Sequence, residues 1–177
     1  MFEIKKTKRI NRLIDITKSD SMVVGAKLAL AHMQLGYLLG RQMSGFKPSE
    51  TTIIAILRGG IFFAEGIYFK LNCRFEICDP KSDDLIIPAT KNIILVDSVI
   101  NTGKTIERIY QKIHMENRQK NIYVASCVVN KKALENITFK ENLYTIRVSN
   151  NSFVGSNITK QNGDIGPDTT MRLFNEF

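Results

Sequence analysis

The segment IILVDSVINTGKTI, residues 93–106, limits the fold more tightly than any other part of the chain. Ile93 to Val96 are apolar and run without interruption into Asp97. A run with no polar alternation reads as a strand buried on both faces, which requires helices on either side of the sheet. TIERIYQKIHMEN follows as a helix and NIYVASCVV as the next strand. The same strand, loop and helix order occurs earlier, where TTIIAIL ends at Arg58-Gly59-Gly60 and IFFAEGIYFKLN follows. RFEICD and NLYTIRV are further strand candidates. The expected fold class is therefore α/β, a mostly parallel central sheet with helices on both faces.

In such a sheet ligands gather outside the carboxyl ends of the strands, where loops lead into helices. Arg58-Gly59-Gly60 and Asp97 to Thr105 both fall at such ends. Gly103 lets backbone approach an anion, the amides of Asn101 to Thr105 can point at phosphate oxygens, and the following helix start adds a favourable partial charge. Thr102 and Thr105 add hydroxyl donors, and Lys104 either touches phosphate or is an ordinary surface residue at a helix start. Asp97 repels phosphate, so its carboxylate suits sugar hydroxyls or a metal ion. A plain turn and helix cap would use similar residues. A nucleotide-binding P-loop is excluded, because its first glycine would have to stand where this chain has Ser98.

The formal charge of +8 favours a negatively charged partner such as nucleic acid, an anionic surface or a phosphorylated metabolite. The cationic residues Lys5, Lys6, Lys8, Arg9 and Arg12 have no interleaved aromatics, so they read as a solvated arm and nucleic acid is not the expected partner. Residues 22–40 are hydrophobic but interrupted by Lys27, His32 and Gln34, which fits a buried amphipathic helix and not a membrane span; an exposed apolar side on it would suit a homodimer. Cys73, Cys78 and Cys127 lack metal-ligand spacing and read as reduced core thiols of a cytoplasmic protein. No signal peptide, repeat or linker is visible, so residues 1–177 are expected to form a single domain. His32 and His114 have no catalytic partners in sequence and read as structural.

IILVDSVINTGKT resembles the phosphoribosyl pyrophosphate (PRPP) signature of type I phosphoribosyltransferases, and AILRGGIFFAEGI resembles the pyrophosphate loop that this family places on an earlier strand. Purine and orotate members carry acids at the positions of both Asp97 and Ser98, and many purine members carry a third at Asn101. Uracil phosphoribosyltransferases lack the second and third acids, read ILRAG where this chain has ILRGG, and end in a Gly-Asp-x-Gly-Asp-Arg segment to which GDIGPDTTMRLF is similar. The resemblance leans to the uracil branch. Two departures stand out. The segment between Ile67 and Asn92 is short, with Arg74 and the 79–84 turn as nearest counterparts of the family's substrate-closing loop, and NNSFVGSN replaces the uracil-holding segment.

The resemblance implies a phosphoribosyltransferase-like fold with an amino-terminal helical segment and a small carboxy-terminal hood. It also implies transfer of the phosphoribosyl group from PRPP to a nucleobase, uracil by this branch, with Mg²⁺ on the pyrophosphate. Asn101, Thr102, Gly103, Lys104 and Thr105 would hold the 5-phosphate and Asp97 the ribose hydroxyls, with Ser98 beside them. Arg58, Gly59 and Gly60 would grip pyrophosphate, and Asp164 would stand near the ribose or the metal-bound pyrophosphate. Asp83 and Asp84 are either further Mg²⁺ contacts or a solvated turn. The alternative is a non-catalytic module that senses PRPP or a nucleotide and acts on RNA or protein, which the short loop and single acid would suit.

Overall fold

A computed structural model of the chain describes residues 1–82, 85–150, 159–161, 164–166 and 168–176, the segments 159–161 and 164–166 by their backbone alone. The central sheet is six-stranded, in the order β1(Phe2–Glu3), β6(Leu143–Ser149), β5(Asn121–Asn130), β4(Asn92–Ile100), β2(Thr51–Ile56), β3(Arg74–Cys78). Every neighbouring pair in it is parallel.

Alternation along the inner strands explains why both faces are covered. On β4, Ile94 and Val96 face one core with Ile53, Ala55 and Ala125, while Ile93 and Leu95 face the other with Ile54, Ile56 and Val124. The first core is closed by α1(Lys8–Thr17), α2(Gly25–Gly40) and α3(Ile61–Leu71), the second by α4(Lys104–Glu116) and the segment 131–139. Helices α2 and α3 cross with backbones nearly touching: a Cβ on Gly36 would lie 2.1 Å from the Phe63 carbonyl, and one on Gly66 1.9 Å from that of Met33. Only glycine fits at either position. The three cysteines are buried and unbridged, as expected of core thiols, and among the described residues no helix is long and apolar enough to cross a membrane.

The basic start differs from the solvated arm expected of it. Phe2 and Glu3 pair with Tyr144 and Thr145, and α1 begins where the Thr7 hydroxyl accepts from the Ile10 amide at 3.3 Å. Its cations are exposed, but Ile10, Leu13 and Ile14 are buried. Basic residues on one face concealed an apolar stripe on the other.

The chain leaves β2 through α3 to β3 on one side of the sheet, and leaves β4 through α4 to β5 on the other. The tips of β2 and β4 are therefore adjacent at a topological switch point, where an open α/β sheet forms its ligand crevice. The antiparallel pair β7(Thr159–Gln161) and β8(Asp164–Gly166) precedes α5(Thr169–Leu173). Arg172 anchors α5 from full burial. Its guanidinium donates to the Val23 carbonyl at 2.8 and 3.1 Å, to the Thr17 and Ile16 carbonyls at 3.3 and 3.4 Å, and to Ser21 Oγ at 3.1 Å. This fixes the tail helix over the crevice.

Candidate functional site

Among the described residues, cavities adjoin one another around the tip of β4, and one of them extends to the tip of β2. The loop after β2 and the loop after β4 enclose about 310 Å³, lined among others by Arg58, Gly59, Asp97, Thr105, Asp168 and Thr170. A smaller cup of about 110 Å³ sits inside the turn from Asn101 to Thr105 and opens onto Asp97. Behind the same turn lies a third cavity of about 420 Å³, bounded by Lys132, Ala133 and Ile137.

The cup follows from the local sequence. Gly103 sits at φ +80°, which L side chains rarely adopt, and its missing side chain leaves room for Ile137 Cγ2, 2.5 Å from where a Cβ would be. The helix begins at once, with Lys104, and Glu107 N donates to the Gly103 carbonyl at 2.9 Å. A turn of small polar residues thus opens directly onto the positive end of α4. Thr102, Lys104 and Thr105 are exposed at its rim.

Asp97 stands at the junction of cup and crevice. Burial pushes its carboxyl up from the ordinary 3.8 to about 7; the Val99 and Ser98 backbone amides pull it down, and the charge of Asp168 adds to the rise. A half-buried acid in this state gains from hydroxyl donors or a cation placed beside it.

Ser98, the next residue along the strand, faces the opposite way. It is buried, with Oγ donating to the Gly59 carbonyl at 2.5 Å and lying 3.1 Å from His32 Nδ1. Burial, reinforced by Arg172 and Arg147, lowers His32 to about 3, so the ring is neutral.

The loop after β2 is pinned closely. The Leu57–Arg58 peptide is cis. A Cβ on Gly59 would fall 3.0 Å from Thr170 Oγ1 and 3.4 Å from Asp97 Oδ1, and one on Gly60 2.3 Å from the Val96 carbonyl. Arg58 is exposed, and its two Nη atoms donate to the two carboxylate oxygens of Glu176 at 2.6 and 2.7 Å. Its guanidinium also lies 5.1 Å from the centre of the Phe174 ring, so the tail engages it from two directions. Glu176 raises the proton affinity of Arg58, and Arg58 lowers that of Glu176.

The sequence model of the uracil phosphoribosyltransferase family matches residues 81–166, just under half of the chain. No curated protein matches in sequence. Among solved structures, the AQ2163 protein of Aquifex aeolicus superposes with a TM-score of 0.75 at 16% identity over 99% of both chains. An orotate phosphoribosyltransferase of Mycobacterium tuberculosis, solved with inorganic phosphate, gives 0.53 at 12% identity over 78% of this chain and 96% of its own. A purine phosphoribosyltransferase of Pyrococcus horikoshii gives 0.50 at 18% identity over 87% and 92%. The fold is that of a phosphoribosyltransferase.

Within this phosphoribosyltransferase fold, Arg58, Gly59, Asp97, Asn101 and Thr105 line the crevice, and Asn101 to Thr105 line the cup that adjoins it at Asp97. Other assignments differ. Gly60 serves the packing of the loop, because its amide donates to the Ile56 carbonyl at 2.9 Å. Ser98 is part of the crevice lining, but its hydroxyl is committed to the Gly59 carbonyl, with His32 Nδ1 beside it. Arg74 begins β3, in register with Thr52, and so stands at the amino end of the sheet, away from the crevice; it cannot be the counterpart of a substrate-closing arginine. Asp164 lies in β8, described by its backbone alone, so its assigned contact falls outside the described side chains, as do Asp83, Asp84 and most of NNSFVGSN. His114 stacks on Tyr110 at 6.4 Å.

Sequence reasoning missed Asp168, Thr170 and Glu176. Asp168 lines the crevice and caps α5, accepting from the Thr170 amide at 2.9 Å. A Pro-Asp-Thr-Thr sequence is a recognisable helix start and could have flagged it. Nothing local marks Glu176 as a partner of Arg58, because the contact spans most of the chain.

Proposed function

We propose that the protein is a phosphoribosyltransferase that transfers the phosphoribosyl group of PRPP to a nucleobase, uracil being the base favoured. The observation that carries this reading is the joint placement of an anion-binding turn, a carboxylate and an arginine loop around one crevice. The 5-phosphate fits the cup at Asn101 to Thr105, taking donors from the turn, Thr102 and Thr105. Asp97, next to it, accepts from the ribose hydroxyls. Pyrophosphate reaches Arg58 and Gly59 on the far wall.

Asp97 and Asp168 present two carboxylates to the same crevice, a donor set that fits Mg²⁺ arriving with the pyrophosphate and keeping phosphate and water as its other ligands. Bound there, the ion would neutralise charge on the leaving group. The chain's own work is orientation and electrostatics. The bond from the anomeric carbon to pyrophosphate oxygen breaks, a bond to the base nitrogen forms, and the proton of that nitrogen passes to solvent. Asn101 has no useful basicity, so a base that loses its proton late or to water, such as a pyrimidine, is favoured. The match of residues 81–166 to the uracil family supports the same choice.

A second reading, a PRPP-binding module without turnover, is favoured by one observation: the guanidinium of Arg58 is already filled by Glu176. Incubation with PRPP, Mg²⁺ and a panel of labelled bases decides between them. Nucleotide and pyrophosphate release with uracil supports the enzyme. PRPP binding without release for any base supports the module, and neither binding nor release rejects both.

A further inference from the structure

We infer that His32 and Ser98 are positioning residues for the pyrophosphate-binding loop. They form a latch that reaches through the sheet's first core and holds the Gly59 carbonyl from behind. This rests on the reading of Arg58 and Gly59 as the pyrophosphate contacts.

The carbonyl of Gly59 can only accept, so the proton of Ser98 Oγ, 2.5 Å away, lies on that line. Ser98 Oγ must then accept from its other neighbour, which makes His32 the Nδ1–H tautomer across 3.1 Å. Its Nε2 is left bare, and this atom has no hydrogen-bond partner among the described residues. An Nε2–H would be an unsatisfied donor in the core, whereas a bare lone pair there is cheaper, so the tautomer assignment agrees from both ends.

The peptide between Gly59 and Gly60 is thereby held twice, its carbonyl by Ser98 and its amide by the Ile56 carbonyl at 2.9 Å. Ser98 itself is fixed through its backbone, which lies in β4 between the registered pairs Asp97–Ser126 and Val99–Val128 of the parallel ladder with β5. His32 and Ser98 are both essentially inaccessible, each with a relative exposure of 1%. Buried polar groups are kept in an apolar core only where they satisfy one another. Here the thread ends on the loop that carries Arg58, and its effect on a ligand passes through Gly59.

The latch predicts a split between the two halves of the PRPP site. Calorimetric titrations use Mg²⁺-pyrophosphate to report on the Arg58–Gly59 loop and ribose 5-phosphate to report on the 101–105 cup. Ser98→Ala is expected to weaken pyrophosphate binding by about three- to tenfold, the scale of one lost hydrogen bond, and to leave ribose 5-phosphate unchanged. His32→Leu should act in the same direction. His32→Asn, which keeps an N–H donor near the place of Nδ1, should recover most of the loss. Parent-like pyrophosphate affinity in Ser98→Ala overturns the latch, and so does an equal loss of both ligands, which would mark a general defect in packing. Failure of the parent protein to bind pyrophosphate at all, with ribose 5-phosphate still bound, overturns the underlying assignment of Arg58 and Gly59 as well.

Discussion

Replacing Asp97 with asparagine should make the ligand-free protein more stable while disabling its site. Folding raises the proton affinity of this carboxyl from an ordinary 3.8 to about 7. An acid raised in this way costs nothing where it is protonated in both states, below pH 3.8. The cost grows as pH rises towards 7 and is then constant, because the folded protein must ionise a group that the unfolded chain ionises freely. The full span would correspond to roughly 4 kcal/mol at about 1.4 kcal/mol per tenfold change. Asp97 borders an open cavity, so water and the small loss in accepting the Ser98 and Val99 amides bring the expected gain of Asp97→Asn to about 1–2 kcal/mol at pH 8. In a chain of this size that is a rise in Tm of about 3–6 °C. Thermal unfolding of parent and variant from pH 4 to pH 8 measures it, and calorimetry with PRPP measures the accompanying loss, about tenfold or more for a charge-assisted contact. A variant less stable than the parent at pH 8, or a gain that does not shrink towards pH 4, refutes the reasoning.

Three further outcomes are expected. Glu176→Gln releases the fork of Arg58 and should tighten Mg²⁺-pyrophosphate binding by roughly two- to fivefold, since both partners are solvent-exposed; unchanged affinity in calorimetry would show that the tail does not compete. Arg172→Met strands the carbonyls of Ile16, Thr17 and Val23, so chemical denaturation should show a loss of about 2–4 kcal/mol, and a loss below about 1 kcal/mol would deny the anchor. Thr102→Val removes one hydroxyl from the cup and should weaken ribose 5-phosphate binding about three- to tenfold with Tm unchanged; parent-like affinity would remove Thr102 from the site.

The sheet was legible because its inner strands are buried on both faces and leave little ambiguity: Ile93 to Val96 and Ile53 to Ile56 can hardly be anything else. The two loops were legible because their residue types follow from backbone geometry, Gly103 at positive φ above all. What stayed hidden had distant causes. Helix α1 was obscured by its exposed cations, although Ile10, Leu13 and Ile14 carry the helical spacing. Ser98 was grouped with substrate contacts by adjacency to Asp97, but successive strand residues face opposite sides and its partner His32 lies 66 positions away. Asp168 reaches the crevice, and Glu176 reaches Arg58, because the buried Arg172 docks α5 there.

The central claim is that this crevice receives PRPP, and titration calorimetry of the purified protein with PRPP and Mg²⁺ tests it most directly. The account predicts saturable, one-to-one heat that is strongly reduced in Asp97→Asn. Absence of heat from the parent protein, or equal binding by parent and variant, would contradict it.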